Sequence, residues 1–363
     1  MAPVILALRA APQVTPIVVS TGQHRELLPQ ALSVFGLVAD RDLEVMAPGQ
    51  TLTHTTTRVL ERCVAAFAEL QPDVVLVHGD TTTTLAAALA AFYRQIPVGH
   101  VEAGLRTGER YSPFPEEMNR VLADRLCEMH FAPTALARAH LLREGLPPDG
   151  VYVTGNTGID AVLLVAGPRR RRPAGQPRLV LIEAHRRENL GAPLARILDG
   201  VRALARRRPA LEIIWSVHPN PQVADPVRAA LGGLPGVRLI DPPGFDAWAR
   251  LLAEADLLLT DSGGMQEEAP ALGLPVLVLR ESTERPEVVA CGAGMLVGTD
   301  ADRITDTALA LLDDTDAYGR MAGAGSPFGD GQAARRTVQG LLYHMGAGAG
   351  RPADFVPAGR QDG

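Results

Sequence analysis

Short aliphatic runs alternate with amphipathic stretches along this chain. Residues 16–20, 73–78 and 96–101 are apolar through most of their length instead of alternating in and out, as in strands of a parallel sheet covered on both faces. The same pattern recurs at 151–154, 178–183, 211–217, 237–240, 255–260 and 275–279. Helical periodicity occupies residues 51–70 and 193–207. Strands alternating with helices predict an α/β protein with parallel sheets, and 363 residues favour two domains. The segment Gly167-Pro-Arg-Arg-Arg-Arg-Pro-Ala-Gly-Gln176 has the proline and glycine flanks of an exposed linker. The expected division is therefore 1–166 for the first domain, 167–177 for the linker, 178–345 for the second domain, and a disordered tail at 346–363. Ligands of such sheets bind beyond the carboxyl ends of the strands, so a site in a cleft between the halves is expected.

Composition narrows the chemistry. Hydrophobic residues make up 46% and aromatics only 4%, so the cores are built from Ala, Leu and Val. No apolar run approaches the roughly 18 residues of a membrane span, and the opening residues lack a basic n-region; a cytoplasmic protein without membrane contact is expected. Cys63, Cys127 and Cys291 are too few and too scattered for a disulfide framework or a zinc site, and each is expected to be a small buried side chain. A net charge of −6 gives no reason to invoke nucleic acid. All 35 basic residues are arginine. The absence of lysine excludes a pyridoxal Schiff base and a Walker-type phosphate loop. Anion binding falls to arginine, histidine and backbone amides.

The run Asp261-Ser-Gly-Gly-Met-Gln-Glu-Glu268 follows an apolar strand and opens a helix. Glycines at such a turn let backbone N–H groups approach a ligand, and the helix N-terminus favours an anion. Glu268 is placed to accept sugar hydroxyls, so the segment suits a nucleotide's phosphates and ribose; an N-cap without a ligand is the structural alternative. Asp80, Glu102 and Glu116 read as carboxylates at three successive strand exits of the first half. Taken singly, Asp80 reads as an N-cap, and Glu116 with Glu117 as first-turn acids complementing a helix dipole. The second half supplies His185, Arg186, His218, Arg280 and Arg285 after its own strands. The first half thus carries acid/base candidates and the second an anion pocket.

Several of these segments occur together as signatures. Val77-His-Gly-Asp-Thr-Thr-Thr-Thr84, Gly99-His-Val-Glu-Ala-Gly-Leu-Arg-Thr107, Ser112-Pro-Phe-Pro-Glu-Glu117, Thr154-Gly-Asn-Thr157, Ala184-His-Arg-Arg-Glu-Asn189, Thr260-Asp-Ser-Gly-Gly264 and Thr283-Glu-Arg-Pro-Glu287 resemble those of the non-hydrolysing UDP-N-acetylglucosamine 2-epimerases, in order, from about residue 1 to 345. The resemblance implies two Rossmann-like domains in a GT-B-like arrangement, a homodimer, and interconversion of UDP-GlcNAc and UDP-ManNAc without NAD or an essential metal. It implies catalytic roles for Asp80, Glu102, Glu116 and His185, and UDP binding by Ser262, Gly263, Gly264, Glu268 and Arg285. Gln23, Arg186 and His218 match a second, activating UDP-GlcNAc site of some members. Glu26 and Gly49 stand where those members carry a glutamine and an arginine, which argues against activation here. Family members begin with a strand and a Gly-Thr-Arg-Pro-Glu loop ahead of the Met-Ala-Pro that opens this chain. The first domain is therefore expected to lack its N-terminal strand, with the true start upstream, and a chain starting here is expected to be unstable in that domain and weakly active. A GT-B UDP-sugar transferase, a hydrolysing epimerase and an inactive UDP-GlcNAc-binding protein are the competing readings.

Overall fold

The computed structural model describes residues 1–22, 27–46, 49–169, 172–173, 175–348 and 350–357. In chain order, α1 (Ala2–Arg9), β1 (Val19–Ser20), α2 (Leu27–Ser33), β2 (Arg41–Asp42) and α3 (Leu52–Leu70) come first. β3 (Val75–His78), α4 (Thr82–Tyr93), β4 (Val98–Val101), α5 (Glu116–Leu126), β5 (Met129–Ala132), α6 (Ala135–Arg143), β6 (Val151–Val153) and α7 (Thr157–Ala166) follow. The next stretch runs β7 (Leu179–Glu183), α8 (Ala192–Arg207), β8 (Glu212–Ser216), α9 (Pro221–Leu231), β9 (Val237–Ile240), α10 (Phe245–Glu254), β10 (Leu257–Thr260) and α11 (Gly263–Ala271). β11 (Val276–Val278), α12 (Pro286–Ala290), β12 (Gly294–Leu296), α13 (Ala301–Asp313), α14 (Thr315–Ala322) and α15 (Ala333–His344) complete it.

These elements form two compact units, Met1–Ala161 with Gly329–Phe355, and Val162–Phe328. Both are Rossmann-like, with every strand pair parallel. In the first unit β3–β4–β5–β6 form one sheet and β1–β2 a separate pair. No strand precedes α1 among the described residues. The second unit holds one six-stranded sheet in the order β12–β11–β10–β7–β8–β9.

The continuous apolar runs are explained by period-2 burial on two faces. In the second unit Val180, Ile182, Leu257, Leu259, Ile213 and Trp215 face α8, α9 and α13. The intervening Leu179, Leu181, Leu258 and Ile214 face α7 and α10. In the first unit Val77 and Val98 pack against α3 and α4. Val101, Met129, Phe131 and Tyr152 pack against α1 and α15.

That last contact overturns the expected division at 167–177. α15 was expected in the second domain, but Val338, Leu341 and Leu342 complete the first unit's core beneath Phe131 and Tyr152. The expected linker is held by the second unit: Arg169 donates to the Ala255 carbonyl (3.1 Å) and to Tyr318 Oη (2.8 Å), and Arg172 pairs with Glu212 (2.8 Å). Arg170, Arg171 and Ala174 lie outside the described residues. The expected tail at 346–363 is ordered over 350–357, and 358–363 lie outside the described residues. Phe355 N–H donates to the Val153 carbonyl (2.7 Å), Asp354 accepts from Val153 N–H (3.0 Å), and Arg351 stacks 4.4 Å over the Tyr152 ring. The segment thereby satisfies the exposed edge of β6.

The observed strands fall within the expected runs, but β2, β5 and β12 were not expected. Met129-His-Phe-Ala132 and Gly294-Met-Leu296 are short and contain no β-branched residue, which removes the usual strand signal. Cys63 and Cys127 are buried as expected, and Cys291 is only half-buried.

The attachment of α15 depends on Asp160, whose buried carboxylate accepts from Ala333 N–H (3.1 Å) and Ala334 N–H (2.8 Å). Replacing it removes the partner of two first-turn donors. Asp160→Ala is expected to lower the unfolding free energy by about 1–3 kcal/mol. Urea melts check this; an unchanged midpoint would mean that packing alone holds the helix.

Candidate active site

The second unit's strand order reverses direction between β7 and β10, the point at which α/β sheets bind ligands. Glu183 and Thr260 are in register across that pair, so the loops after the two strands leave the sheet together. Asp261 joins them. Its fully buried carboxylate accepts from His185 N–H (3.0 Å), Arg186 N–H (2.9 Å) and Asn189 Nδ2 (2.8 Å). Asn189 also donates to the Leu279 carbonyl after β11, so three strand exits are tied to one another.

α11 starts at Gly263, and the Ser262 side chain makes no capping bond, which leaves its first-turn amides for a ligand. A Cβ on Gly263 would stand 3.4 Å from the Arg186 guanidinium and 4.0 Å from that of Arg285; a Cβ on Gly264 would stand 4.0 Å from Glu268 Oε1. The space beside these glycines is bounded by two guanidinium groups and a carboxyl. Arg285 is aimed by its Nε–Glu267 pair and by its backbone N–H, which donates to Thr283 Oγ1 (3.0 Å). Thr283 donates in turn to Gln266 Oε1 (2.5 Å), so α11 holds the loop that carries Arg285. Arg280 pairs with Glu188 (2.5 Å). The His185 and His218 rings stack at 5.2 Å. His218 Nδ1 accepts from Asn220 N–H, which places its proton on Nε2.

Burial, with Asp261 nearby, pushes the Glu183 carboxyl up to about 7. Burial, with Glu267 and Glu183, pushes Glu268 up to about 8. Near pH 7 Glu268 is thus mostly neutral and Glu183 part-protonated while the guanidinium groups stay charged, so the cluster suits an anion with hydroxyl groups attached. Ser262, Gly263, Gly264, Glu268, Arg285 and His185 come together in this way. Arg186 and His218, matched to an activating site beside the first, lie next to this cluster: Arg186 borders Gly263 and His218 stacks on His185. Gln23 and Glu26 lie outside the described residues.

In the first unit Asp80 leaves β3 and Glu102 leaves β4, next to each other at the sheet's carboxyl end. Glu116 opens α5, farther along the connection that carries Glu102. The expected three strand exits are therefore two, because a helix and not a strand follows that loop. Gly79 and Glu102 both adopt positive φ, +69° and +66°. For a glutamate this is a strained backbone of the kind found at functional sites. A Cβ on Gly79 would come 3.5 Å from Glu102 Oε2, so the glycine lets that carboxylate reach over the turn. His78 Nε2 lies 3.5 Å from the same oxygen, and burial, with the terminal ammonium and His100, holds the His78 ring neutral at about 3. Thr81, not Asp80, caps α4. Asp80 instead pairs with Arg120 (3.1 Å). Glu117 is structural: its buried carboxylate accepts from Thr107 N–H (3.1 Å) and Gly108 N–H (3.1 Å).

Beneath these residues is a buried charge network that sequence reasoning missed. His100 Nδ1 lies 2.6 Å from Asp124 Oδ1, and Nε2 lies 2.7 Å from the Gly79 carbonyl. Both partners are acceptors, so the ring carries both protons and is an imidazolium. Arg106 closes the network on Asp124 and Glu144, each at 2.7 Å. Burial alone would lower the His100 pKa; Asp124 overrides it and the net shift is upward. Burial likewise opposes ionisation of Asp124, yet His100 and Arg106 hold it down at about 2. Among the described residues no cluster of three or more His, Cys, Asp or Glu side chains is arranged to hold a metal ion, and no helix is long and apolar enough to cross a membrane.

A family profile described as UDP-N-acetylglucosamine 2-epimerase matches residues 6–342 of this chain. It is 45% identical over 360 residues to the Bacillus subtilis protein of that name, covering 98% of this chain and 95% of the relative. The Staphylococcus aureus MnaA–UDP structure superposes with a TM-score of 0.87 at 40% identity, covering 98% of this chain and 96% of that one. The Neisseria meningitidis UDP-GlcNAc 2-epimerase bound to UDP-GlcNAc gives 0.83 at 43% identity, covering 94% and 96%.

The His100 imidazolium has a consequence for stability. A raised folded-state pKa contributes stability that is fully present below the unfolded value of about 6.5 and lost as pH rises through the folded value. Denaturant melts of the wild type are expected to weaken over that window, by up to about 1.4 kcal/mol per pH unit, relative to His100→Gln, which lacks the titrating ring. A constant difference between the two proteins across the window would show that the ring is neutral.

Proposed function

The chain belongs to the UDP-N-acetylglucosamine 2-epimerase family, and we propose that it interconverts UDP-GlcNAc and UDP-ManNAc by eliminating UDP and adding it back. The observation that carries this reading is the α11 N-terminus opened by Gly263 and Gly264, with Arg186, Arg285 and Glu268 around it. In the proposal the amides of α11, with Arg285 and His185, hold the diphosphate, and Glu268 takes the ribose hydroxyls. Ser262 completes the turn.

The C2 proton of the sugar has no adjacent carbonyl and is barely acidic. Departure of UDP from C1 creates oxocarbenium character that acidifies it. Donors fixed in advance around the diphosphate lower the cost of that departure. A carboxylate then removes the C2 proton, in an anti elimination that gives a 2-acetamidoglucal. Return of a proton to the opposite face, with re-addition of UDP at C1, inverts C2. Acid/base groups are needed on both faces, and Asp80, Glu102 and Glu116 are proposed for them. Elimination and addition transfer no net electrons, so the sequence balances without a redox cofactor. A homodimer of 38.5 kDa chains and a cytoplasmic location belong to the same reading.

NMR of UDP-GlcNAc incubated with the protein in D₂O tests it. Deuterium at C2 with UDP-ManNAc appearing is the expected result. Free ManNAc with UDP would mean a hydrolysing epimerase, and UDP binding without exchange would mean a transferase or an inactive binding protein. Glu102→Gln is expected to cut the exchange rate by about 10²–10⁴ while UDP affinity stays near wild type. Arg285→Ala is expected to weaken UDP binding by about tenfold or more, through loss of a charge-assisted contact.

A further inference from the structure

Glu183, the last residue of β7, and His185 in the following loop bring an acid and a base together without joining them. Glu183 Oε1 lies 3.8 Å from His185 Nδ1. Glu183 Oε2 and His185 Nδ1 are both buried, and neither has a hydrogen-bond partner. Buried polar atoms left in this state call for an explanation, and here they complement each other: a carboxyl O–H can donate and an imidazole Nδ1 can accept. A shift of about 1 Å brings them to hydrogen-bond distance.

The surroundings decide which group holds the proton. Asp261 Oδ1 lies 3.9 Å from the same Nδ1, but the Asp261 oxygens already accept from two backbone amides and Asn189. His218 stacks on the ring at 5.2 Å and Arg186 adds positive charge; both disfavour a second proton on His185 while the site is empty of anion. Burial acts the same way on His185, lowering its pKa, and it raises that of Glu183, with Asp261 adding to the rise and Arg186 opposing it. Glu268 is a further acid near enough to Glu183 for the two to interact, and Glu267 acts on Glu268 in the same sense. In the resting protein the proton belongs on Glu183.

We propose that Glu183 and His185 share one proton, which moves from the Glu183 carboxyl to His185 Nδ1 when a nucleoside diphosphate binds at the α11 N-terminus. One O–H bond breaks and one N–H bond forms. The ring becomes a cation facing the phosphates and the carboxylate remains beside it as counter-ion, with nothing drawn from water. Glu183 is thus a positioning residue that acts through His185. This inference rests on the reading of the second unit as the UDP site.

The test is calorimetric titration of the full chain with UDP in two buffers of different ionisation enthalpy, which yields the protons taken up on binding. At about pH 6.5 the wild type is expected to take up less than half a proton, because the pair already holds one. Glu183→Gln removes the internal donor and is expected to take up more than half, with UDP affinity falling by up to about tenfold per pH unit from a lower pH than in the wild type. Equal uptake by the two proteins overturns the shared proton. If Glu183→Gln does not fold, the wild type decides alone: uptake approaching one proton at that pH overturns the proposal. Failure of UDP to bind the wild type is a different outcome, and it removes the reading beneath the proposal as well.

Discussion

The proposed nucleotide site depends on one buried carboxylate. Asp261 is fully buried at the end of a central strand, where a bare carboxylate costs several kcal/mol to desolvate. Three N–H donors from the neighbouring loop offset that cost, and in doing so they fix the loop. His185 and Arg186 are thereby set by their own backbone amides, not by their side chains. Their side chains stay available for a ligand while their Cα positions are pinned. Asn189 passes the constraint to β11, whose exit leads to Arg285. Without this carboxylate the two arginines and the histidine would sit on ordinary surface loops.

The first unit meets the same requirement with the opposite sign of charge. The His100 imidazolium donates to the Gly79 carbonyl at one end and to Asp124 at the other. Gly79 immediately precedes Asp80, and Glu102 lies two residues beyond His100. A buried cation paired with a buried anion thus holds the turn that carries one acid/base candidate and the strand that carries the next. Each unit spends a costly buried charge on backbone positions at the carboxyl end of a sheet.

Much of this was legible in the sequence, and the part that was not has a common cause. Period-2 burial writes itself into the chain, so β7, β8, β10 and β11 were expected from apolar runs. The Ser262-Gly263-Gly264 turn was legible because paired glycines between an apolar strand and a helix are a local pattern in the chain. β5 was missed because Met129-His-Phe-Ala132 carries no β-branched residue. α15 was assigned to the wrong unit because its partners, Phe131 and Tyr152, lie some two hundred residues earlier, and no local pattern encodes such a contact. Asp261 stood inside the most informative motif, yet its role is to accept from loop amides about seventy-five positions away. Glu183 was read as a strand end. Pairings of that range are visible only once the sheet order brings the strands together.

The absence of lysine gives these arrangements a shared logic. A guanidinium does not deprotonate in a protein, so every arginine near the α11 N-terminus is a permanent charge of fixed sign. In the proposed reaction such charges attract a diphosphate but cannot follow the change in charge as a leaving group departs and returns. Among the side chains around this cluster, only imidazole and the raised carboxyls can change protonation near neutral pH. In that reading fixed cations supply affinity, and adjustable protons come from His185, Glu183 and Glu268. Burial raises the two carboxyls toward neutral pH and lowers His185, so the acids are the donors and the imidazole the acceptor.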